Sequence, residues 1–437
     1  MTERSNPLSR LIKATAKVEA HELKATLLSF SFVFVIMMAY FILRPARDAL
    51  SSDWTDVQLS WLWTSTFVFS ALAVSVYGAV ISRVRFKVIL PGVYVFFAIS
   101  FAGFYVAGST LGDNDLVNRI FYVWTSVFSL FHLSVFWTFM SGLYSKEQAK
   151  RLFSVIAVGA MAGAIAGPLF VTLYREAIGE LNMLLVSATL LLVPIPIIAK
   201  LDQLRFSELG NADAQGDLLR GNRLGTNPFA GFTNFVNNRY LLWIGLFILL
   251  YVVMNTFIYF ELRKALGDLD REQRTLIWAQ IDLAINILAI FTALFATGRL
   301  TTKFGMSKTL ALIPFLMIGG WLVVAASPAL ATLIAVQIIR RAGNYAITRP
   351  GREMLFTLVD SETRFKSKPV IDTVVYRGSD VATAWFYTKL VSAFGLGLAG
   401  IAVVGAVVAA AWVATAVHLG RMFEQMETGD SDSGSTE

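Results

Sequence analysis

The 437-residue chain contains no cysteine and only three histidines, His21, His132 and His418. Without thiols there can be no disulfide, thiolate metal site or cysteine nucleophile. Three scattered imidazoles do not assemble a metal site, so no metal is expected. Charge is also scarce. Lys, Arg, Asp and Glu together make up 15%, where soluble proteins average about 25%. No phosphate-cradling Gly-x-x-x-x-Gly-Lys-Ser/Thr loop occurs, so ATP hydrolysis is not expected, nor are other enzymatic activity or a cofactor. A cleavable leader is not expected either. A basic segment of about 25 residues leads directly into the first apolar run, whose far end is charged rather than built of small residues.

Apolar residues fill the space that charge leaves. They make up 56% of the chain, and mean hydropathy is +0.62. That balance points to a polytopic membrane protein. Apolar runs fall at 26–46, 61–81, 88–107, 118–142, 152–173 and 181–199. They resume at 239–261, 276–297, 309–326, 329–348, 374–394 and 397–417. Each is long enough to cross a hydrocarbon core of about 30 Å as a helix. The expectation is an all-α membrane protein of twelve spans in two six-helix halves, 26–199 and 239–417. Segment 1–25, the linker 200–238 (with room for one surface helix) and an acidic tail, 418–437, complete the division.

Lys and Arg placement sets the orientation. With both termini in the cytosol, only eight of the 37 basic residues fall on the opposite side. The net charge of +7 then reads as a topology signal and requires no nucleic-acid partner. The expected setting is the bacterial inner membrane, with lipids as partners and a monomer sufficient.

Ionisable groups at membrane depth are costly unless paired or wet, so each is a candidate functional residue. The tenth span is the most informative. From Pro328 to Ile339 the apolar stretch is too short to cross, so the helix must continue through Arg340 and Arg341 to about Thr348, before Pro350. Four-residue spacing sets Arg340 over Asn344 and Arg341 over Tyr345. Each arginine is either the wall of an anion-binding cavity or the partner of a buried carboxylate on another helix. The first span closes in Leu43-Arg44-Pro45-Ala46-Arg47-Asp48. Arg44 and Asp48 can pair along the helix, leaving Arg47. Arg47 belongs either to a charged helix end at the water interface or to a helix running past residue 50 with Arg47 turned into the cavity. Asp282 and Lys389 lie at similar depth and are read as a buried gate pair. His132 is read as a hydrogen-bonded structural residue and Glu261 as interfacial. Gly159, Gly163 and Gly167 read as a helix-packing stripe. Residues 352–368 read as a basic amphipathic segment outside the membrane, with Met354, Leu355, Phe356 and Leu358 against the bundle.

The two halves carry short basic turns at equivalent places: Gly78 with Arg83, Arg85 and Lys87, and Gly298-Arg299 through Gly305 with Lys308. These turns resemble the loop motifs of the major facilitator superfamily, whose members are duplicated in this way. A more specific resemblance begins at Arg340-Arg341-Ala342-Gly343-Asn344-Tyr345. It runs through Arg349-Pro350-Gly351-Arg352-Glu353-Met354, Lys366-Ser367-Lys368 and Ile371-Asp372. This stretch is similar to the signature of the ATP/ADP exchangers of plastids and intracellular bacteria. Leu43-Arg44-Pro45-Ala46-Arg47-Asp48 and Ala149-Lys150-Arg151-Leu152-Phe153 extend the likeness to the first half. The chain departs from the pattern at Asn344 (usually Lys), Arg349 (usually Asp) and Asp380 (where a basic residue is usual), and lacks a glutamate after Asn255.

The resemblance implies a facilitator-type secondary transporter that moves an anionic, phosphorylated, nucleotide-like solute by alternating access. Arg44, Arg47, Arg340, Arg341, Asn344 and Tyr345 are the expected substrate contacts, and Asp48, Asp282 and Lys389 the gating charges. Two rivals remain: a proton-coupled or uniport carrier of another solute, and a membrane scaffold or sensor that transports nothing.

Overall fold

The computed structural model describes residues 18–81, 86–207, 209, 230–292, 298–359, 363, 367, 368 and 370–433. Several expectations fall outside them: most of segment 1–25, Arg83 and Arg85, much of the linker, and Asp360, Glu362, Arg364 and Lys366.

Among the described residues every regular element is helical. The first half supplies α1 (Leu23–Leu50), α2 (Asp56–Ile81), α3 (Phe86–Leu111), α4 (Asp115–Leu143), α5 (Lys146–Ile178), α6 (Asn182–Leu192) and α7 (Pro194–Ser207). The remainder supplies α8 (Ala230–Asn237), α9 (Arg239–Ala265), α10 (Arg271–Thr292), α11 (Gly298–Ala326), α12 (Leu330–Gly343), α13 (Arg349–Leu355), α14 (Tyr376–Ser392) and α15 (Leu398–Ser433). Nine helices in the described residues are long and apolar enough to cross a membrane. The other three expected spans are occupied by α2, by α12 with a π-turn at Asn344–Thr348, and by a π-turn at Val370–Val375 running into α14. α6 and α7 together fill the sixth span.

Helix starts are written locally. Asn114 accepts from the N–H groups of Leu116 and Val117, and Asn238 from those of Tyr240 and Leu241. Ser145 and Gln148 form a reciprocal capping box at the start of α5. Each satisfies donors that a helix N-terminus leaves open.

The chain condenses into two compact units. The first holds α1, α2 from Val68, α3 to α7 and Arg271–Leu283 of α10. The second holds Ser51–Phe67, α8, α9, α10 from Ala284, and α11 to α15. Each unit is thus mainly one sequence half plus a helix start from the other.

In the first unit α5 lies directly on α1, and the glycine stripe makes this possible. A Cβ at Gly159 would stand 2.6 Å from the Phe30 carbonyl oxygen, and one at Gly163 2.2 Å from that of Phe34. At Gly167 it would stand 2.6 Å from Phe41 Cβ. Close backbone approach through small residues drives helix association where lipid is as apolar as the side chains. The second unit repeats the device between α11 and α15, where Gly405 admits the Trp321 ring and Gly420 the Ser307 backbone. Gly305, at φ +76°, breaks α11 in the left-handed region that side-chain-bearing residues avoid.

The tenth span runs on through Arg340 and Arg341 to Thr348, as expected, and widens there into a π-turn at Asn344–Thr348. Pro350 explains the position: it has no N–H for the carbonyl four residues back and crowds it. A widened turn ahead of the proline absorbs that conflict.

Candidate anion-binding sites

α1 stays helical through Pro45 to Leu50 and carries its charges inside the first unit. Asp48 is 1% exposed and Asp282 is fully buried. The end of the span is therefore not a charged cap at the water interface. Arg44 Nε lies 3.5 Å from Asp48 Oδ2, as four-residue spacing requires, and 3.6 Å from Asp282 Oδ2. Arg47 is not left over. Its Nε and Nη2 both donate to Asp48 Oδ1, at 3.0 and 2.6 Å. Its Nη1 reaches Ser126 Oγ on α4 at 3.4 Å, and its guanidinium carbon sits 5.7 Å from the Tyr122 ring centre. Two arginines and two carboxylates make a formally neutral cluster, so Arg47 comes already partnered. The carboxylate expected to answer Lys389 lies against Arg44. Lys389 itself is exposed, so the burial on which that pairing was argued does not hold for it.

His132, also on α4, behaves as a structural residue. Its Nδ1 meets the Phe128 carbonyl at 3.2 Å, and its ring stacks on Tyr40 at 4.8 Å.

The second unit contrasts with this neutrality. Arg340 on α12 is wholly buried. Its Nη2 donates to Gln337 Oε1 at 2.8 Å, and Nη1 reaches the Tyr251 hydroxyl at a long 3.4 Å. Its guanidinium carbon lies 5.7 Å from the Tyr251 ring centre. The Nε has no hydrogen-bond partner. Among the described residues no carboxylate is paired with this guanidinium. Arg341, 5% exposed, reaches forward along the helix to the Tyr345 hydroxyl at 3.5 Å, the four-residue neighbour expected for it. Arg340 does not use Asn344, which is half-buried; it turns to Gln337, one turn earlier.

A second polar cluster in this unit gathers where α9 ends and α2 begins. Arg263 donates to the carbonyls of Ser51 and Trp54, at 3.1 and 2.7 Å, and to the Asp56 carboxylate. Lys264 Nζ pairs with Asp56 at 2.9 Å and donates to the Tyr387 hydroxyl at 2.8 Å. Tyr387 in turn donates to Glu261. Glu261 is 6% exposed, so the expectation of an interfacial residue fails; the Tyr387 hydroxyl and the charges of α9 supply what water would have supplied.

The charged residues of the 349–372 signature serve one another. Glu353 binds Lys368, and Arg352 lies 3.5 Å from Glu353 and 3.4 Å from Asp372. Burial alone would raise the Glu353 carboxyl, but the Lys368 bond and charge, with Arg352, hold it below its ordinary value. Leu355 and Phe356 are buried as expected of this segment, whereas Met354 is exposed.

Sequence reading missed Tyr251 and Gln337, which contact Arg340, and Tyr376 and Trp412, which pack on Tyr251. All four sit in apolar helices, and only Gln337, three residues before Arg340, carried a spacing signal.

No protein-family model and no curated protein sequence matches the chain. Solved structures do. One is an inward-facing, unoccupied bacterial homologue of the human lysosomal transporter Spinster. It is 11% identical, with a TM-score of 0.58 over 94% of this chain and 99% of that one. The nucleoside transporter NupG is 12% identical, with a TM-score of 0.57 over 93% and 99%. A bacterial homologue of the iron transporter ferroportin, inward-facing, is 12% identical, with a TM-score of 0.55 over 95% and 100%. At such identities the likeness speaks to fold alone. The chain is an all-α membrane protein with the fold of the major facilitator transporters.

Proposed function

We propose that this protein is a secondary transporter that moves an anionic, phosphorylated solute of nucleotide type across the membrane by alternating access. Its two six-helix halves alternate about a midplane site, and both termini lie in the cytosol of a bacterial inner membrane. The observation that carries this reading is Arg340: a fully buried guanidinium without a carboxylate partner among the described residues. A buried charge left uncompensated costs several kcal/mol. A bound anion removes that cost; none of the described carboxylates does so. Arg341, one residue on and barely exposed, is the second basic contact, with Tyr345 beside it. Arg44 and Arg47 hold the α1 end in shape through Asp48 and Asp282 and assist the anion indirectly.

Exchange follows from the same charge. A site that carries an unneutralised guanidinium is costly to reorient, whereas an occupied one is not, so an anion from either side permits the movement. The likeness of residues 340–372 to the ATP/ADP exchangers supports nucleotides as the first solutes to try.

The test is counterflow in proteoliposomes with nucleotides, phosphosugars and other organic anions. Anion-driven counterflow should be lost in Arg340→Gln and weakened less in Arg340→Lys, which keeps the charge but not the two-donor fork. Without anion, Arg340→Gln should be at least as heat-stable as wild type, because an uncompensated charge is gone. A Gln variant at both 340 and 341 that transports like wild type would overturn the reading.

The Glu261–Tyr387 contact favours a second reading, a proton-coupled carrier, because a buried carboxylate held by a phenol can take up a proton during the cycle. That reading expects Glu261→Gln to uncouple uptake from a pH gradient while leaving counterflow intact.

A further inference from the structure

Arg340 is not the only unsatisfied donor in its neighbourhood. Trp412 on α15 is fully buried, and its indole Nε1 has no hydrogen-bond partner. Both residues pack on the same side chain. The Tyr251 ring centre lies 5.7 Å from the Arg340 guanidinium carbon and 5.9 Å from the Trp412 ring centre. Tyr376 closes the group, 6.3 Å from Tyr251 ring to ring. The nearby carboxylate of α14, Asp380, is held by Arg377 at 3.4 Å.

Buried N–H groups almost always find an acceptor, and leaving one unmade is costly. Here two are left on two helices around one aromatic ring, and one of them bears a charge. An acceptor for both must supply lone pairs in more than one direction and negative charge. A water supplies the first and not the second. An oxyanion supplies both: its separate oxygens can meet separate donors, as a carboxylate or phosphate does with a forked guanidinium.

We infer that Trp412 is a ligand-binding residue: its indole N–H and Arg340 Nε together hold one oxyanion group, carboxylate or phosphate, beside Tyr251. The inference rests on the anion-carrier reading and adds the second donor and the requirement for two oxygens. Tyr251, which packs on both residues and makes only a long contact with Arg340 Nη1, forms a wall of the site. Selectivity follows from the donor set. A halide must meet both donors from a single centre, whereas phosphate and acetate offer each donor its own oxygen.

The test uses purified full-length protein and heat denaturation at constant ionic strength, titrated with inorganic phosphate, acetate or chloride. Wild type should be stabilised by phosphate or acetate and not by chloride, and whichever oxyanion acts at the lower concentration identifies the group bound. Trp412→Phe keeps the ring and removes only the N–H, and should raise the required concentration about tenfold, the usual worth of a hydrogen bond to a charged group. Trp412→His, which restores a ring N–H, should recover part of the loss. Arg340→Gln should abolish the response. Tryptophan labelled with 15N gives a readout that needs no mutant to fold: phosphate should shift one buried indole N–H resonance, assigned to Trp412 by its absence in whichever of Trp412→Phe or Trp412→Tyr folds. If Arg340→Gln abolishes the response while Trp412→Phe leaves the midpoint unchanged, the Trp412 site is wrong and the anion carrier stands. Equal stabilisation by chloride and phosphate overturns the two-oxygen requirement. No response to any oxyanion in wild type overturns both.

Discussion

Arg44 Nε stands 3.6 Å from Asp282 Oδ2, between a carboxylate of its own helix and one from α10. The pairing joins residues 238 positions apart in the sequence, and it makes the buried cluster of Arg44, Arg47, Asp48 and Asp282 neutral. Neutrality inside a low-dielectric setting is worth more than any single contact in it.

A charge-pair cycle tests this directly. Asp282→Asn leaves two arginines facing one aspartate, and Arg44→Gln leaves two aspartates facing one arginine. Each single variant strands a buried charge and should lose about 3 kcal/mol of stability. The double variant restores the balance and should recover most of that loss. Thermal midpoints of the four proteins give the coupling. Additive losses would show that the two groups do not compensate each other.

Much of the fold was legible because membranes simplify the rules. Apolar runs mark helices, and Arg44 and Asp48 pair at the spacing that any helix imposes. What escaped was what spacing cannot carry. Asp282 has Arg44 as a neighbour because α10 begins in the first unit, and no local pattern records that exchange of helix starts. The assignment of Arg47 as left over failed because it donates to the adjacent Asp48 Oδ1, a contact between neighbours that helical-face reasoning skips. Glu261 was read as interfacial because it lies near a helix end; the phenol that packs on it comes from residue 387. At Arg340 the charged residue was found, but not the Tyr251 beside it or the Tyr376 and Trp412 packed on Tyr251, since all three look like ordinary apolar-helix residues.

The glycine stripe gives a prediction that separates packing from helix propensity. Gly163→Ala would place a methyl 2.2 Å from the Phe34 carbonyl oxygen, so α1 and α5 would have to part. Gly103, inside α3, has nothing within 4 Å of the same added atom. Alanine is the better helix former by roughly 0.5–1 kcal/mol. Gly103→Ala should therefore be neutral or slightly stabilising, and Gly163→Ala should cost well over 1 kcal/mol. Thermal unfolding in detergent measures both. Equal effects at the two positions would remove close packing as the reason for the stripe.

The last prediction concerns pH. Glu180 lies in the turn between α5 and α6, where burial pushes its carboxyl above the ordinary value despite Arg271 and Arg175 nearby. Thr275 Oγ1 lies 2.6 Å from Glu180 Oε1 and 3.0 Å from the Arg271 carbonyl oxygen. The Thr275 hydroxyl donates to the carboxylate and so opposes the shift, but burial is the larger effect. Folding therefore favours the protonated form. For a carboxyl whose folded value is raised, this contribution is complete below the unfolded value of about 4.5 and is lost as pH rises through the folded value. Gln in its place keeps a donor and an acceptor and never ionises. Glu180→Gln should thus match wild type at pH 4 and exceed it in thermal midpoint at pH 7. A variant less stable than wild type at pH 7 would mean that the ionised carboxylate, held by Arg271 and Arg175, is the form the fold prefers.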